Sequence, residues 1–92
     1  MEKERLFKMT DTDQCVLVAA LRDSQSAASE LVRRAATAPK RKLYLDGDEY
    51  RQAISGLNQL RTDYLASGHY SDGIDAVIVK LTKSKYRRAP AR

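Results

Sequence analysis

The chain has 92 residues, 42% apolar and 32% charged, with a net charge of +5 and a single cysteine. That length sets one domain, or two very small repeats around one core, and the composition excludes a disordered polymer. One cysteine excludes an intramolecular disulfide and a zinc framework. The longest apolar run, CVLVAAL (15–21), is too short to span a bilayer, and MEKERLFKM has no apolar signal core. The expectation is therefore a cytoplasmic protein with no membrane partner. A core this small makes a homo-oligomer an expected route to added stability.

In chain order, LFKM (6–9) reads as a short strand. Thr10-x-x-Asp13 is a cap-like helix start. Leu17, Val18 and Leu21 follow at the spacing of one helix face, and Gln25-Ser26 closes that helix. A second helix carries Ala28, Leu31, Val32 and Ala35, and ends before Pro39, which cannot continue the backbone ladder. A strand follows near 41–46. Asp46-x-x-Glu49 is a capping box with aspartate in the Ser/Thr position, and it opens a helix over 47–66. Its stripe runs Tyr50, Ile54, Leu57, Arg61 and Tyr64, widened by Ala53 and Leu60. Gly68 stands where a helix C-terminal glycine is expected. Ser71 or Asp72 caps a helix over 72–83 bearing Ile74, Val77, Ile78 and Leu81, and SKYRR makes a last strand near 85–89.

The two halves superpose as patterns. At an offset of 36, Met9 meets Leu45, Thr10 meets Asp46, Asp13 meets Glu49, Val18 meets Ile54 and Leu21 meets Leu57. At an offset of 46, Ala28 meets Ile74, Leu31 meets Val77, Val32 meets Ile78, Ala35 meets Leu81, and Arg41-Lys42 meets Arg87-Arg88. The ten extra residues of the second half fall around YLASGHYSDG (64–73). The fold expected is α+β and mostly helical: two tandem strand–helical-hairpin units, 6–42 and 43–89, sharing a small three-stranded sheet. Residues 1–89 would form a single domain, with 90–92 a flexible tail. The alternative is an all-α four-helix arrangement with extended connectors.

Chemistry is carried by the cations. Net charge is +3 over 1–42, −2 over 43–83 and +4 over 84–92, a distribution that favours anionic partners. Lys40, Arg41 and Lys42 in one unit answer Lys85, Arg87 and Arg88 in the other, with Lys8 placed to join them. Tyr44 and Tyr86, in the same strands, are suited to stack on a base, and arginine grips phosphate bidentately. These eight residues of 40–44 and 85–88 form the expected ligand site. Against it stands the use of edge cations to block strand-to-strand aggregation. His69 and Tyr70, in the extra loop, are candidate contacts.

Catalytic and metal constellations are poorly supported. Cys15 and His69 are the one thiol–imidazole pair, and nothing in their spacing joins them; the better reading is a half-buried cysteine and a surface histidine. Asp46, Asp48 and Glu49, like Asp72 and Asp75, sit at helix starts, where carboxylates cap amides and oppose the helix dipole. No catalytic residue, metal ligand or cofactor is expected, and the chain is read as a non-enzyme.

The second half carries Glu49-Tyr50, Leu57-Asn58, Arg61, Leu65, Gly68, Tyr70, Asp72, Asp75 and Lys80-Leu81 in order. This pattern resembles small uncharacterised proteins of Gram-positive phages and mobile elements. The first half departs from it, having no N-x-x-R and no G-x-Y-x-D. The resemblance implies a mobile-element origin and a host-cell cytoplasmic setting. The function expected is a non-catalytic, anti-defence binding protein that sequesters an anionic nucleotide-like ligand. The alternatives are a DNA- or RNA-binding module and a protein–protein inhibitor of a host factor.

Overall fold

The computed structural model describes residues 3–23 and 29–88. It is a mostly helical α+β protein. The elements are β1 (Lys3–Lys8), α1 (Asp11–Asp23), α2 (Ser29–Ala36), β2 (Lys42–Leu45), α3 (Gly47–Ala66), α4 (Asp72–Thr82) and β3 (Lys85–Arg88), with a 3₁₀ turn at Pro39–Arg41. The expected closure of the first helix at Gln25-Ser26, the Ala28 position and the 90–92 tail lie outside the described residues.

Capping chemistry fixes two helix starts. The Thr10 hydroxyl accepts from the Asp13 N–H at 3.1 Å, and the Asp13 carboxylate accepts from the Thr10 N–H at 3.0 Å. Asp46 and Glu49 make the same reciprocal pair, at 2.8 and 3.0 Å. In each case two of the amides that a helix start leaves without partners are satisfied locally. α3 ends where Gly68 adopts a φ of +78°, a left-handed conformation that glycine takes without a Cβ penalty. α4 differs from expectation: Ser71 is its N-cap residue but makes no capping bond. Its hydroxyl donates instead to Asp75 at 3.0 Å, which also holds Arg61 at 2.6 Å.

β1 lies between the other two strands, in the order β2-β1-β3, and is antiparallel to both. Phe7 pairs with Leu43 and Leu6 with Lys85. Along β2, Leu43 and Leu45 are buried while Lys42 and Tyr44 face away, the alternation a half-covered sheet requires. The helices pack on the buried face. One cluster forms the core, built from Phe7, Met9, Leu43 and Leu45 of the strand segments with Leu17, Leu21, Leu31, Leu57, Ile74, Val77 and Leu81 of the helices.

On α3 the buried positions are Ala53, Gly56, Leu57 and Leu60, and residues 61–70 are all exposed. The expected stripe through Arg61 and Tyr64 is thus corrected. The core ends at Leu60, and the far part of the α3–α4 hairpin projects beyond it. This projecting part contains most of the ten extra residues.

Phe7 is fully buried at the centre of the β1–β2 pair. Phe7→Ala is expected to remove about 3–5 kcal/mol, a large share of a small domain's stability. Urea unfolding should show the loss as a lower midpoint, whereas Tyr70→Ala, at a side chain 90% exposed, should leave the midpoint unchanged.

Candidate functional site

The sheet face turned away from the helices carries Glu4, Leu6 and Lys8 of β1, Lys42 and Tyr44 of β2, and Lys85 of β3. Register places Lys8 beside Lys42, and Leu6 between Tyr44 and Lys85. The three lysines are exposed, and Leu6 and Tyr44 are half-buried between them. Like charges directly opposite across two strands repel. Among the described residues, none of the three lysines joins an ion pair. The result is an open basic surface with an aromatic ring at one side.

The eight expected ligand residues do not form one site. Lys40 and Arg41 are not on a strand: they occupy the 3₁₀ turn with φ of 53° and 56°. Such left-handed values are uncommon for these residues, and three contacts hold the turn in place. The Arg41 N–H donates to the Ala38 carbonyl at 3.1 Å, the Arg41 carbonyl accepts from the Met9 N–H at 2.9 Å, and the Arg41 guanidinium pairs with Asp11. Arg41 is therefore already engaged by an acid.

Lys42 and Tyr44 lie on the open face, and Lys85 joins them from β3. Arg87 pairs with Glu4 and Arg88 with Lys3, and Tyr86 lies opposite Arg5. Lys42, by contrast, is level with Lys8. Arg87 and Arg88 are therefore displaced from Lys42 by four and five residues along β1, about 13 and 16 Å, and by two strand spacings, about 10 Å. The expected convergence of Lys40–Lys42 with Arg87-Arg88 fails because β1 intervenes. Both flanking strands run antiparallel to β1, so it is their starts that lie at the same end of the sheet.

His69 and Tyr70 are exposed at the tip of the α3–α4 hairpin, where the His69 ring sits tilted 5.7 Å from that of Tyr64. α3 starts beside the sheet and its 20 residues rise about 30 Å, so this tip is remote from the basic face. Cys15 is exposed on α1, not half-buried as expected.

Two further cations, neither among the expected ligand residues, complete the basic region. On the β2 side, a cleft of about 190 Å³ is lined by residues that include Arg34, Thr37, Lys42 and Tyr44. Arg34 donates to the Tyr44 carbonyl at 2.6 Å and pairs with Glu49, the capping-box acid of α3. On the β3 side, a cleft of about 220 Å³ is lined by Leu6, Phe7, Lys8, Lys80, Ser84 and Lys85. Lys80 reaches Asp13, the capping acid of α1, at 2.5 Å. Arg34 carries no expected role in the sequence, and Lys80 figures there only in the Lys80-Leu81 part of the resemblance. The signal available was their separation of 46 residues, the same offset that aligns the second helices of the two hairpins.

Burial works to raise the Asp13 carboxyl. The hydrogen bond from Lys80, the Thr10 N–H, the Lys80 charge and the Thr10 hydroxyl outweigh it and hold the group below its ordinary 3.8. Among the described residues no cluster of His, Cys, Asp or Glu has the makings of a metal site, and no helix is long and apolar enough to cross a membrane. No family model, curated protein or solved structure matches the chain.

Because the folded-state value of Asp13 is depressed, its contribution to stability is fully present above pH 3.8 and is lost as pH falls through the lower folded value. Asp13→Asn keeps a capping oxygen but loses the charge. At neutral pH it should cost about 1 kcal/mol, a modest figure because Lys80 is partly solvated. Urea midpoints of wild type and variant should converge when both are measured well below pH 3.8.

Proposed function

We propose that the protein is a non-catalytic binding protein whose open sheet face holds a single-stranded nucleic acid through its phosphates. The observation that carries this reading is the set Lys8, Lys42 and Lys85 on one uncovered face, none of them in an ion pair among the described residues, interleaved with Tyr44 and Leu6. Cations that track a backbone, with an aromatic side chain for base stacking, are the ingredients of sequence-tolerant single-strand binding. An enclosed mononucleotide is less well served. The clefts beside the face are about 190 and 220 Å³, below the range of about 300–1,000 Å³ that buries a small ligand. The nucleic-acid reading therefore ranks ahead of the nucleotide-sequestering one, and a mobile-element origin rests on sequence resemblance alone.

The architecture behind this face is read as two tandem strand–helical-hairpin units related by an approximate two-fold axis. Phe7 and Leu43 stand 36 residues apart and pair with each other, so the axis would pass between them. The capping acids Asp13 and Glu49 are also 36 apart, and their cations Lys80 and Arg34 are 46 apart. Each unit's capping acid thus grips the other unit's second helix.

Fluorescence anisotropy with a labelled oligothymidylate tests the function. Three phosphate contacts on a single strand predict a slope of about −2 for log affinity against log salt. The triple variant Lys8→Glu, Lys42→Glu, Lys85→Glu should abolish binding. Arg22→Glu, about 16 Å along α1 from its start, should leave it intact. A salt-independent affinity, or a triple variant that binds like wild type, would refute the proposal.

A further inference from the structure

The two clefts at the margins of the basic face correspond residue by residue, and we infer that they are a matched pair of phosphate-binding sites. On the nucleic-acid reading above, on which this extension rests, one strand places a phosphate in each.

The correspondence is detailed. One cleft takes Leu6, Phe7 and Lys8 from its strand, and the other takes Lys42, Leu43 and Tyr44, each 36 residues later. One takes Lys80 and Ser84 from the end of α4, and the other takes Arg34 and Ala38, each 46 residues earlier. Clefts built from equivalent positions of two hairpins open on the same side of the sheet, since a two-fold axis along the sheet normal preserves its faces. They lie on the outer margins of β1 and β2, roughly three strand spacings or about 14 Å apart. One phosphate group cannot bridge that gap, but a strand of several nucleotides can.

Each cleft also contains one cation whose position is fixed in advance. Lys80 spends one of its three donors on Asp13. Arg34 directs one donor to Glu49 and another to the Tyr44 carbonyl, out of five. The acids hold these cations in place and leave N–H groups for a ligand, so little side-chain freedom is lost on binding. Lys8 and Lys85 add mobile charge to one cleft and Lys42 to the other.

The pair differs at several corresponding positions: Leu6 answers to Lys42, Ser84 to Ala38 and Lys85 to Pro39. Where the first cleft has Lys8, the second has Tyr44, so the first offers only charge and the second offers charge beside an aromatic ring. A bound strand would therefore have a preferred direction, with a base stacked at the Tyr44 end.

Amide chemical shifts, followed first with pyrophosphate and then with oligothymidylates of increasing length, test the inference. Pyrophosphate should move Lys8, Ser84 and Lys85 together, and Thr37, Lys42 and Tyr44 together. Affinity for oligothymidylates should step up at the length that reaches both clefts, and Lys42→Ala or Lys85→Ala should each remove that step. If oligothymidylate binds while neither cleft responds to either probe, the paired sites are overturned and the binding face survives. If pyrophosphate fills both clefts and no oligothymidylate binds at any length, the nucleic-acid reading falls and the two phosphate sites stand.

Discussion

Two carboxylates hold this small fold together. Asp13 and Glu49 each satisfy a helix-start amide and each grip a cation from a helix distant in sequence: Lys80 is 67 residues from Asp13, and Arg34 is 15 from Glu49. Either task alone would be modest. Combined, they tie the local geometry of a helix start to the tertiary position of another helix, so neither can shift without breaking both. Hydrogen bonds to charged groups contribute about 1.5–3 kcal/mol each, and leaving a half-buried charge unpartnered costs more than the bond gains. Arg34 has a further consequence at the Tyr44 carbonyl, where it occupies a backbone acceptor of an edge strand that could otherwise pair with another chain.

The same bonds shape the basic surface. Arg34 and Lys80 are fixed because acids hold them, while Lys8, Lys42 and Lys85 join no ion pair among the described residues. Arg41 is likewise paired with an acid, Asp11, but it lies in the turn before β2 and lines neither cleft. Position relative to the helix starts, rather than sequence clustering of cations, therefore decides which charges remain open to a ligand.

Much of the helical architecture was legible in the sequence because its signals are local. A three-residue spacing announces Asp46 and Glu49, and the bounds expected for α3 are those found. The mostly helical α+β class followed from the same periodicity. The order of strands was not legible: register and neighbour choice depend on contacts across the chain, which an alternating pattern of two or three residues does not encode. Nor was the left-handed turn at Lys40 and Arg41, since neither residue type advertises a positive φ and the bonds that hold it come from Met9, Asp11 and Ala38. The run Lys40-Arg41-Lys42 therefore splits, with Lys42 on the open face and its two predecessors in the turn. Arg61 and Tyr64 continue a helical stripe in sequence but pass the end of the core, a limit set by the tertiary body and not by the helix.

The central position of β1 bears on how the molecule is made. Translation delivers this strand before both of its partners, since β2 begins at residue 42 and β3 at residue 85. The central strand is thus made well before it can be fully paired. Its apolar side chain Phe7 must wait for Leu43, and its second edge for β3. Long sequence separations of this kind slow folding, since loop closure precedes the contacts that reward it. The early helices α1 and α2, which need only their neighbours, have time to form before the sheet that unites them.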